Sequence, residues 1–325
     1  MRLTTTFKRV AAAIHAVIGK SRTATRWYFA LLGSALRSLP ECKMKRQILN
    51  SILSAQWVEC DLPPRRVRLG TQTSVLLYPH FYEIDFEILV SRNPLYEKEV
   101  FSVLETRLAN YDAVVEIGAN VGLFSLFFAK TLERLGKADS RVFVFEPSRT
   151  AYLRLLQNLK LNSVRNVDAF NCAVGAQTGF TDFFEPDGHL TNGSLLADFA
   201  LKFSSSVQVT RALVLQAELL ASLPSRGDRL LIKIDVEGAE CQVLAGLGRM
   251  IIDNKPDIIL EVLPMYQDAL NGLGFLREAG YQFFNITDRG LVGCPRFAAT
   301  HFRDWLLIPG QPAVTNRQLA GQGKN

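Results

Sequence analysis

The segment that most constrains the fold is residues 114–122, whose sequence is Val-Val-Glu-Ile-Gly-Ala-Asn-Val-Gly. This pattern predicts a buried strand that runs into a glycine turn and then a helix, with Glu116 at the end of the strand. Gly118 and Gly122 lack a Cβ atom, so the turn can adopt backbone conformations closed to other residues and a ligand can approach the backbone closely. A strand, a glycine turn and a helix in this order are typical of a nucleotide-cofactor site.

A second apolar strand is predicted at residues 142–145, and it also ends in a carboxylate, Glu146. Glu146 lies 30 residues after Glu116, which is enough chain for a helix to connect two neighbouring parallel strands. A carboxylate at the carboxyl end of such a strand can accept hydrogen bonds from both hydroxyl groups of a ribose. The two strands together therefore predict a cofactor that contains ribose.

The glycine turn also distinguishes between classes of cofactor. The complete dinucleotide fingerprint needs three glycines, and Asn120 stands where the second glycine would let a pyrophosphate come close. Glu116 projects a negative charge into the same turn, which would repel a pyrophosphate but attract the ammonium group and the sulfonium of S-adenosylmethionine. Methyl transfer is therefore favoured. A NAD-dependent oxidoreductase and a catalytically silent scaffold remain as alternatives.

A third feature is residues 233–240, Lys-Ile-Asp-Val-Glu-Gly-Ala-Glu, where a strand delivers acids around a glycine. Ligands of open α/β sheets bind at the carboxyl ends of the strands, so Asp235 and Glu237 are expected to face the same crevice as the first two acids. Either could act as general base on an acceptor hydroxyl, and with one more oxygen ligand both could hold a divalent metal such as magnesium, although two acids alone do not establish a metal site. Glu240 is expected only to stabilise the start of a helix, and His189, in a polar loop, is a second candidate base.

Strands and helices alternate through most of the chain, as a parallel sheet with helices on both faces requires. The predicted fold class is α/β, with a doubly wound, mostly parallel seven-stranded sheet and an antiparallel insertion formed by residues 180–184 and 207–213. The seven predicted strands are residues 114–117, 142–145, 167–172, 229–234, 257–262, 281–286 and 304–308.

The chain divides into four predicted regions. Within the second region, the sequence patterns at residues 74–78 and 83–88 predict two strands. The third region is expected to open with a helix that ends near Leu108. The four regions are a basic, mainly helical N-terminal extension (1–60), a small β-rich cap (61–95), the cofactor-binding methyltransferase domain (96–310) and a flexible C-terminal tail (311–325).

The net charge of +6 is concentrated near the N-terminus, because residues 1–46 carry ten Lys and Arg and only one acid, Glu41. Such a segment is expected to be a solvated helical arm that packs on the domain or on a second subunit, or else to lie on an anionic membrane surface. Nucleic acid is not an expected partner, because no nucleic-acid-binding motif accompanies the charge.

Signals for membrane insertion, secretion and disulfide formation are absent from the sequence. No apolar run in the basic N-terminal segment approaches the roughly 20 residues that span a bilayer, and no signal-peptide cleavage site follows an apolar core. The five cysteines are an odd number without any CxxC pair, which argues against a disulfide framework or a structural zinc. A cytoplasmic location is therefore expected, with peripheral membrane contact through residues 1–46 as a further possibility.

Four motifs stand out when these features are combined: residues 116–122, 145–147, 171–175 and 232–240. With these motifs the chain resembles the FkbM-type S-adenosylmethionine-dependent methyltransferases. Many methyltransferases share the first motif, whereas the Asp-Val-Glu-Gly-Ala-Glu segment of the last motif is typical of a much smaller group of them. The resemblance covers roughly residues 95–310.

The resemblance implies a Rossmann-like class I methyltransferase fold whose last strand is antiparallel. It also implies O-methylation of a hydroxyl on a small-molecule or glycan acceptor, such as a sugar, a polysaccharide or a natural product. One departure is that many relatives begin the first motif with Asp, which is one methylene shorter than Glu116. The cofactor-binding residues implied by position are Glu116, Gly118 and Gly122 for the methionine end, Asn120 within the same turn, Glu146 for the ribose and Ala173 near the adenine.

Overall fold

A mixed β-sheet forms the centre of the chain in the computed structural model. The predicted C-terminal tail, residues 311–325, and the candidate base His189 lie outside the residues that the structure describes. The described residues are 13–38, 43–53, 55–58, 60–81, 83–91, 97–187, 190–225 and 227–310.

Thirteen strands form three sheets in the described part of the chain. One sheet is a hairpin of the first two strands, one is a small three-stranded sheet, and the central sheet contains the other eight. The strands are β1 Arg65–Leu69, β2 Thr73–Leu77, β3 Ala113–Ile117, β4 Arg141–Phe145, β5 Val167–Phe170, β6 Ala173–Gly175, β7 Gly179–Pro186, β8 Val207–Gln216, β9 Leu230–Ile234, β10 Asp257–Glu261, β11 Tyr281–Thr287, β12 Gly290–Cys294 and β13 Asp304–Pro309.

Helices pack on both faces of the central sheet and also form most of the described part of the N-terminal extension. Residues 13–18 are helical as well. The helices are α1 Arg22–Ser38, α2 Lys43–Leu53, α3 Ile84–Ser91, α4 Lys98–Arg107, α5 Leu123–Arg134, α6 Arg149–Leu161, α7 Ala197–Ala200, α8 Glu240–Asn254, α9 Gln267–Asn271 and α10 Phe275–Glu278.

The strand order of the central sheet is β12-β11-β13-β10-β9-β3-β4-β5. Strands β10, β9, β3, β4 and β5 are parallel neighbours, and β13 lies antiparallel between β10 and β11. The predicted α/β fold is therefore confirmed, including the antiparallel last strand. The additional strand β12 forms a hairpin with β11; two glycines among its five residues gave it no recognisable strand pattern.

The central strands are buried on both faces, which explains their nearly continuous apolar sequences. All five residues of β3 are buried. Val115 packs in the apolar layer that contains Leu247 of α8, whereas Val114 packs in the opposite layer with Phe127 of α5. Because side chains alternate between the faces of a strand, Glu116 lies on the α5 face beside Val114. The end of β3 is thus held between two apolar layers, with one carboxyl group on the α5 side.

The predicted cap is β structure only in its first half. The hairpin of β1 and β2 is antiparallel and contains the strand predicted at residues 74–78. The strand predicted at residues 83–88 is wrong, because these residues enter helix α3. The alternating sequence had predicted one buried and one exposed face, but the segment is covered on more than one side.

Three side chains explain why this segment is a helix. Asp85 is fully buried and accepts hydrogen bonds from the backbone and the ring of His80, at 2.9 and 2.6 Å. Phe86 is buried against Phe29 of α1, with ring centroids 5.2 Å apart, and Ile88 packs in the apolar layer of α5. Burial of adjacent residues on different sides suits a helix, in which side chains point in all directions, better than a strand.

The N-terminal extension is mainly helical where it is described, and an aromatic cluster joins it to the rest of the chain. The ring of Phe29 lies 4.8 Å from that of Trp57 and 5.7 Å from that of Phe81. All three rings are buried, and aromatic rings of this size bury large apolar areas. The described part of the arm therefore packs on its own chain. Within the described ranges, every helix is too short or too polar to cross a membrane.

Asn158 of α6 and Asn162, which follows the last residue of this helix, fix the β1–β2 hairpin to the domain. Asn162 accepts a hydrogen bond from the backbone N–H of Leu76 at 2.8 Å and donates to its carbonyl at 2.7 Å. Asn158 is fully buried; it accepts from the backbone N–H of Tyr78 at 3.1 Å and donates to the carbonyl of Val121 at 3.0 Å. Since Val121 belongs to the glycine turn, Asn158 connects the hairpin directly to the turn.

Candidate active site

A cleft opens at the carboxyl ends of β3, β4 and β9, where a parallel sheet places its ligands. Its empty volume is about 940 Å³, including the part open to solvent. The four acids predicted to meet at this edge of the sheet all line the cleft. The charged side chains among its described lining residues are Glu116, Glu146, Lys233, Asp235 and Glu237.

Glu146 is held in a fixed orientation just after β4. Its side chain is buried, and its Oε2 accepts a hydrogen bond from the backbone N–H of Asn120 at 2.7 Å, while its Oε1 accepts one from the backbone N–H of Ser148 at 2.8 Å. Each oxygen keeps capacity for a further hydrogen bond. Burial raises the pKa of Glu146 to about 7, and the two backbone hydrogen bonds oppose that rise. The carboxyl group is therefore oriented before any ligand arrives.

The backbone of the turn after β3 explains two of its residue types. Gly118 has a φ of +88° and Asn120 a φ of +49°, in the left-handed region that glycine adopts freely and asparagine tolerates. A Cβ at position 118 would lie 1.7 Å from the carbonyl oxygen of Asp235. Glycine is therefore required at position 118 because the turn that contains Asp235 packs closely against it, and not because a ligand does. Asn120 presents the N–H that fixes Glu146.

Gly122 lies outside the residues that line the cleft. It has a φ of +87°, and a Cβ at this position would lie 2.2 Å from Cδ1 of Leu155 in α6. Glycine is needed here because α6 packs tightly on the start of α5. Any part that Gly122 takes in cofactor binding is exerted through the shape of the turn.

Glu116 and Lys233 form the buried floor of the cleft, where they are neighbours on β3 and β9. Oε2 of Glu116 accepts a hydrogen bond from Oγ of Ser125 at 2.6 Å, and Nζ of Lys233 lies 4.3 Å from the ring centroid of Phe124. Burial raises the pKa of Glu116 to about 8, with Lys233 and Ser125 opposing the rise. Burial would lower the pKa of Lys233, but the surrounding acids, Asp235 foremost, raise it, so its ammonium group stays charged.

Asp235 and Glu237 follow β9 directly and bring reactive oxygens to the cleft. Nζ of Lys233 donates a hydrogen bond to Oδ2 of Asp235 at 2.8 Å, and the Asp235 side chain remains 21% exposed, so a ligand can reach it. Burial raises the pKa of Glu237 to about 8, and repulsion from Asp235 and Glu240 adds to the rise. The carbonyl of Glu237 accepts a hydrogen bond from Oγ of Ser194 at 2.8 Å, which ties the insertion to this turn.

A third acid, Glu261, joins these two, and the sequence reasoning missed it. One carboxylate oxygen from each of Asp235, Glu237 and Glu261 lies within 4.8 Å of the others. Burial raises the pKa of Glu261 to about 10, and the charges of Asp235 and Glu237 add to the rise. Glu261 is the last residue of β10, so the rule that found the other acids at strand ends would also have found it. The three carboxyl groups could share protons or hold a divalent cation.

The remaining predicted residues take separate positions. Ala173 is buried at the start of β6 and lines the cleft. The strand predicted at residues 167–172 ends two residues early, at Phe170. Thr191 and Leu195 of the insertion also line the cleft. Glu240 is the first residue of α8. Its Oε1 accepts hydrogen bonds from the backbone N–H groups of two residues in the preceding turn, at 3.2 and 3.1 Å.

Residues 116–283 match the methyltransferase FkbM domain. The match covers just over half of the 325 residues and includes all four predicted acids of the cleft and Glu261. The chain belongs to the FkbM methyltransferase family. The family predicted from the four motifs is thus confirmed, and the activity of this FkbM protein is that of a methyltransferase.

Two curated proteins similar to this FkbM methyltransferase also carry methyltransferase names. Methyltransferase 1 of Beauveria bassiana is 24% identical over 182 residues, which cover 52% of this chain and 71% of that protein. Methyltransferase sdnD of Sordaria araneosa is 27% identical over 214 residues, which cover 55% and 80%. A solved methyltransferase FkbM from Methylobacillus flagellatus matches with a TM-score of 0.41 and 19% identity, over 74% of this chain and 56% of that one. This chain thus spans little more than half the length of that solved protein.

Proposed function

We propose that this FkbM methyltransferase uses S-adenosylmethionine and transfers its methyl group to a hydroxyl oxygen of a sugar, polysaccharide or natural-product acceptor. The observation that carries the proposal is the charge of the cleft: among its described lining residues, four carboxyl groups accompany one ammonium group. The raised pKa values of Glu116, Glu146 and Glu237 reflect burial of acids close to one another. A ligand with positive charge relieves that repulsion and lets these acids ionise.

A dinucleotide would fit the same cleft poorly. Two like charges 4 Å apart repel each other by about 4 kcal/mol at an effective dielectric constant of 20, so a pyrophosphate would be disfavoured near Glu116 or Glu146 whenever these acids are ionised. When they are protonated, they offer a pyrophosphate no charge attraction. The backbone N–H of Asn120, which could otherwise bind a phosphate at this turn, already donates to Glu146. No observation therefore favours the NAD-dependent alternative.

Each end of the proposed cofactor has a partner of suitable chemistry in the cleft. Glu146, with both oxygens oriented by backbone N–H groups, would accept hydrogen bonds from the ribose hydroxyls. Glu116, on the floor, would attract the ammonium group of the methionine end, in the turn that contains Gly118 and Asn120. Ala173 offers a small apolar surface for the adenine.

S-adenosylmethionine supplies a methyl group on a positively charged sulfur. The protein has to hold the acceptor hydroxyl in line with that group and remove its proton as the oxygen forms the new bond. Asp235 is partly exposed and is fixed by Lys233, so it would orient the hydroxyl. Glu237 would receive the proton, because a carboxylate whose pKa is about 8 is a stronger base than an ordinary one.

The cluster of Asp235, Glu237 and Glu261 could instead hold a divalent cation that acidifies the acceptor hydroxyl. We favour the metal-free base, because Oδ2 of Asp235 already accepts a hydrogen bond from Lys233, which makes this carboxylate less available as a metal ligand. Turnover by chelator-treated enzyme is therefore expected to equal turnover with added magnesium. Loss of turnover after chelation, restored by magnesium, would assign the cluster to a metal.

Calorimetric titration with S-adenosylmethionine, S-adenosylhomocysteine and NAD tests the cofactor. Saturable binding of both adenosyl ligands and no binding of NAD is expected. Glu146→Ala should weaken S-adenosylmethionine binding by about 1–3 kcal/mol, since charged hydrogen bonds are lost. The control Glu133→Ala, on the exposed face of α5, should leave binding unchanged. Binding of NAD alone would overturn the proposal, and full affinity in Glu146→Ala would exclude Glu146 as the ribose anchor.

Transfer of a labelled methyl group to a panel of saccharides and hydroxylated natural products tests the acceptor class. An O-methyl ether is stable to mild alkali, whereas a methyl ester is hydrolysed, so alkali treatment distinguishes hydroxyl from carboxyl acceptors. Asp235→Asn should reduce turnover at least about 100-fold while S-adenosylmethionine affinity stays within a few-fold. Undiminished turnover in Asp235→Asn would remove this residue from the mechanism.

A further inference from the structure

A second concave region lies outside the cleft, between the first turns of α1 and the last turns of α6. We call it the basic groove; its empty volume is about 1830 Å³, including the part open to solvent. Its other walls are residues 60–62 and 78–81. The second of these segments leads towards α3, whose first residue, Ile84, lines the cleft. Residues 78–81 thus line the basic groove, and Ile84, three residues later, lines the cleft.

The basic groove carries an excess of permanent positive charge. Arg154 is neutralised by Glu83, with Nη1 and Oε1 3.2 Å apart. In contrast, within the described ranges no carboxylate oxygen lies within 4.0 Å of the charged group of Arg22, Arg26 or Lys160. The charged residues of the lining, apart from His80, which pairs with Asp85, are Arg22, Arg26, Asp61, Arg154 and Lys160.

The two arginines of α1 point to the same region from one helix face. Arg22 and Arg26 are four residues apart, so their side chains are neighbours, and like charges at this spacing destabilise a helix unless a counter-ion accompanies them. Burial raises the pKa of the Cys60 thiol on another wall, and the charges of Arg26 and Arg22 both oppose that rise. Both arginines are exposed to solvent, and their charges are within electrostatic reach of the thiol of Cys60. The positive end of the α1 dipole adds to the same field.

We propose that the basic groove binds a phosphate or diphosphate group of a ligand. Guanidinium groups match phosphate oxygens with paired hydrogen bonds, and Lys160 adds a compact charge from the opposite helix. Apolar side chains beside these cations, among them Leu62, Phe81 and Leu161, provide a surface for the part of the ligand next to the phosphate. The ligand is a soluble phosphorylated compound or a phospholipid headgroup, and its binding does not depend on the proposed cofactor.

Calorimetric titration of the full chain with inorganic pyrophosphate tests the proposal. The double variant R22Q/R26Q should weaken binding at least tenfold, and K160Q, on another helix, should weaken it several-fold. The control R249Q removes an exposed charge from α8, where the Arg249 side chain is 81% exposed, and should leave binding unchanged. Higher ionic strength should weaken binding by the unaltered chain. Circular dichroism establishes that each variant is folded.

Flotation with vesicles distinguishes the two sources of phosphate. Binding to vesicles of phosphatidylcholine with phosphatidic acid, displaced by pyrophosphate and lost in R22Q/R26Q, would assign the groove to a lipid headgroup. Pyrophosphate binding without vesicle binding would assign it to a soluble ligand. The proposal is overturned if neither probe binds saturably, if R22Q/R26Q and K160Q bind both probes as the unaltered chain does, or if vesicle binding persists in the presence of pyrophosphate.

Discussion

Replacing Glu116 by Gln is expected to stabilise the ligand-free protein above neutral pH. Burial raises the pKa of Glu116 from 4.5 to about 8, so the folded protein keeps a proton that the unfolded chain releases. The stability associated with this proton is complete below pH 4.5 and is lost as the pH rises through 8. At about 1.4 kcal/mol per pH unit, this interval corresponds to roughly 5 kcal/mol. Gln has nearly the same size and can still accept the hydrogen bond from Ser125, but it does not titrate.

Urea unfolding at pH 5 and pH 8 measures the effect directly. At pH 8, Glu116→Gln should raise the free energy of unfolding by about 2–5 kcal/mol, since part of the burial cost remains for the amide; at pH 5 the two proteins should differ little. Glu133→Gln, whose side chain is 58% exposed, is the matched control and should stay within about 0.5 kcal/mol at both pH values. If Glu116→Gln loses stability in parallel with the unaltered chain between pH 5 and pH 8, Glu116 does not carry the buried proton and the reasoning is refuted.

Two further predictions concern the turn and the acids of the cleft. Gly118→Ala should lower the free energy of unfolding by about 2–4 kcal/mol in urea titrations, because the new Cβ would meet the carbonyl of Asp235 and the φ of +88° is strained for alanine; unchanged stability would show that the two turns can separate freely. S-adenosylmethionine affinity should rise between pH 6 and pH 8, because Glu116, Glu146 and Glu237, with pKa values raised to about 8, 7 and 8, attract a cation only when ionised. Calorimetry in two buffers with different heats of ionisation should detect proton release on binding, and an affinity independent of pH would contradict this account.

The sequence was sufficient to predict the centre of the sheet, because β3, β4, β9 and β10 are buried on both faces and therefore have apolar runs. The edge strand β12 has no buried residue and was not predicted. The alternating pattern at residues 83–88 was misleading, since it reports only where one face is buried. Here Asp85 accepts a hydrogen bond from the ring of His80, and Phe86 packs against Phe29 of α1. Neither contact can be inferred from the local sequence.

The site was predictable to the extent that its acids end strands. Glu116, Glu146 and the pair after β9 all meet in the cleft, because parallel strands bring their carboxyl ends to one edge. Glu261 also ends a strand, so the same rule could have selected it. Its proximity to Asp235, however, depends on β10 lying beside β9, and strand order is a property of the assembled sheet. No role was predicted for Lys233, although a charged residue inside an apolar central strand requires a buried partner.

The hydrogen bonds of Asn158 show that the segment matched by the family domain differs from the segment that has to fold as one unit. The stretch recognisable as an FkbM domain begins at residue 116, but the buried amide of Asn158 depends on the backbone of Tyr78, in a hairpin that starts at Arg65. A chain that begins at residue 116 would leave that amide oxygen without its partner, at a cost of about 1–3 kcal/mol. The same side chain holds Val121 in the turn. The segment that matches the family domain is therefore shorter than the segment that must fold together to hold the glycine turn in its conformation.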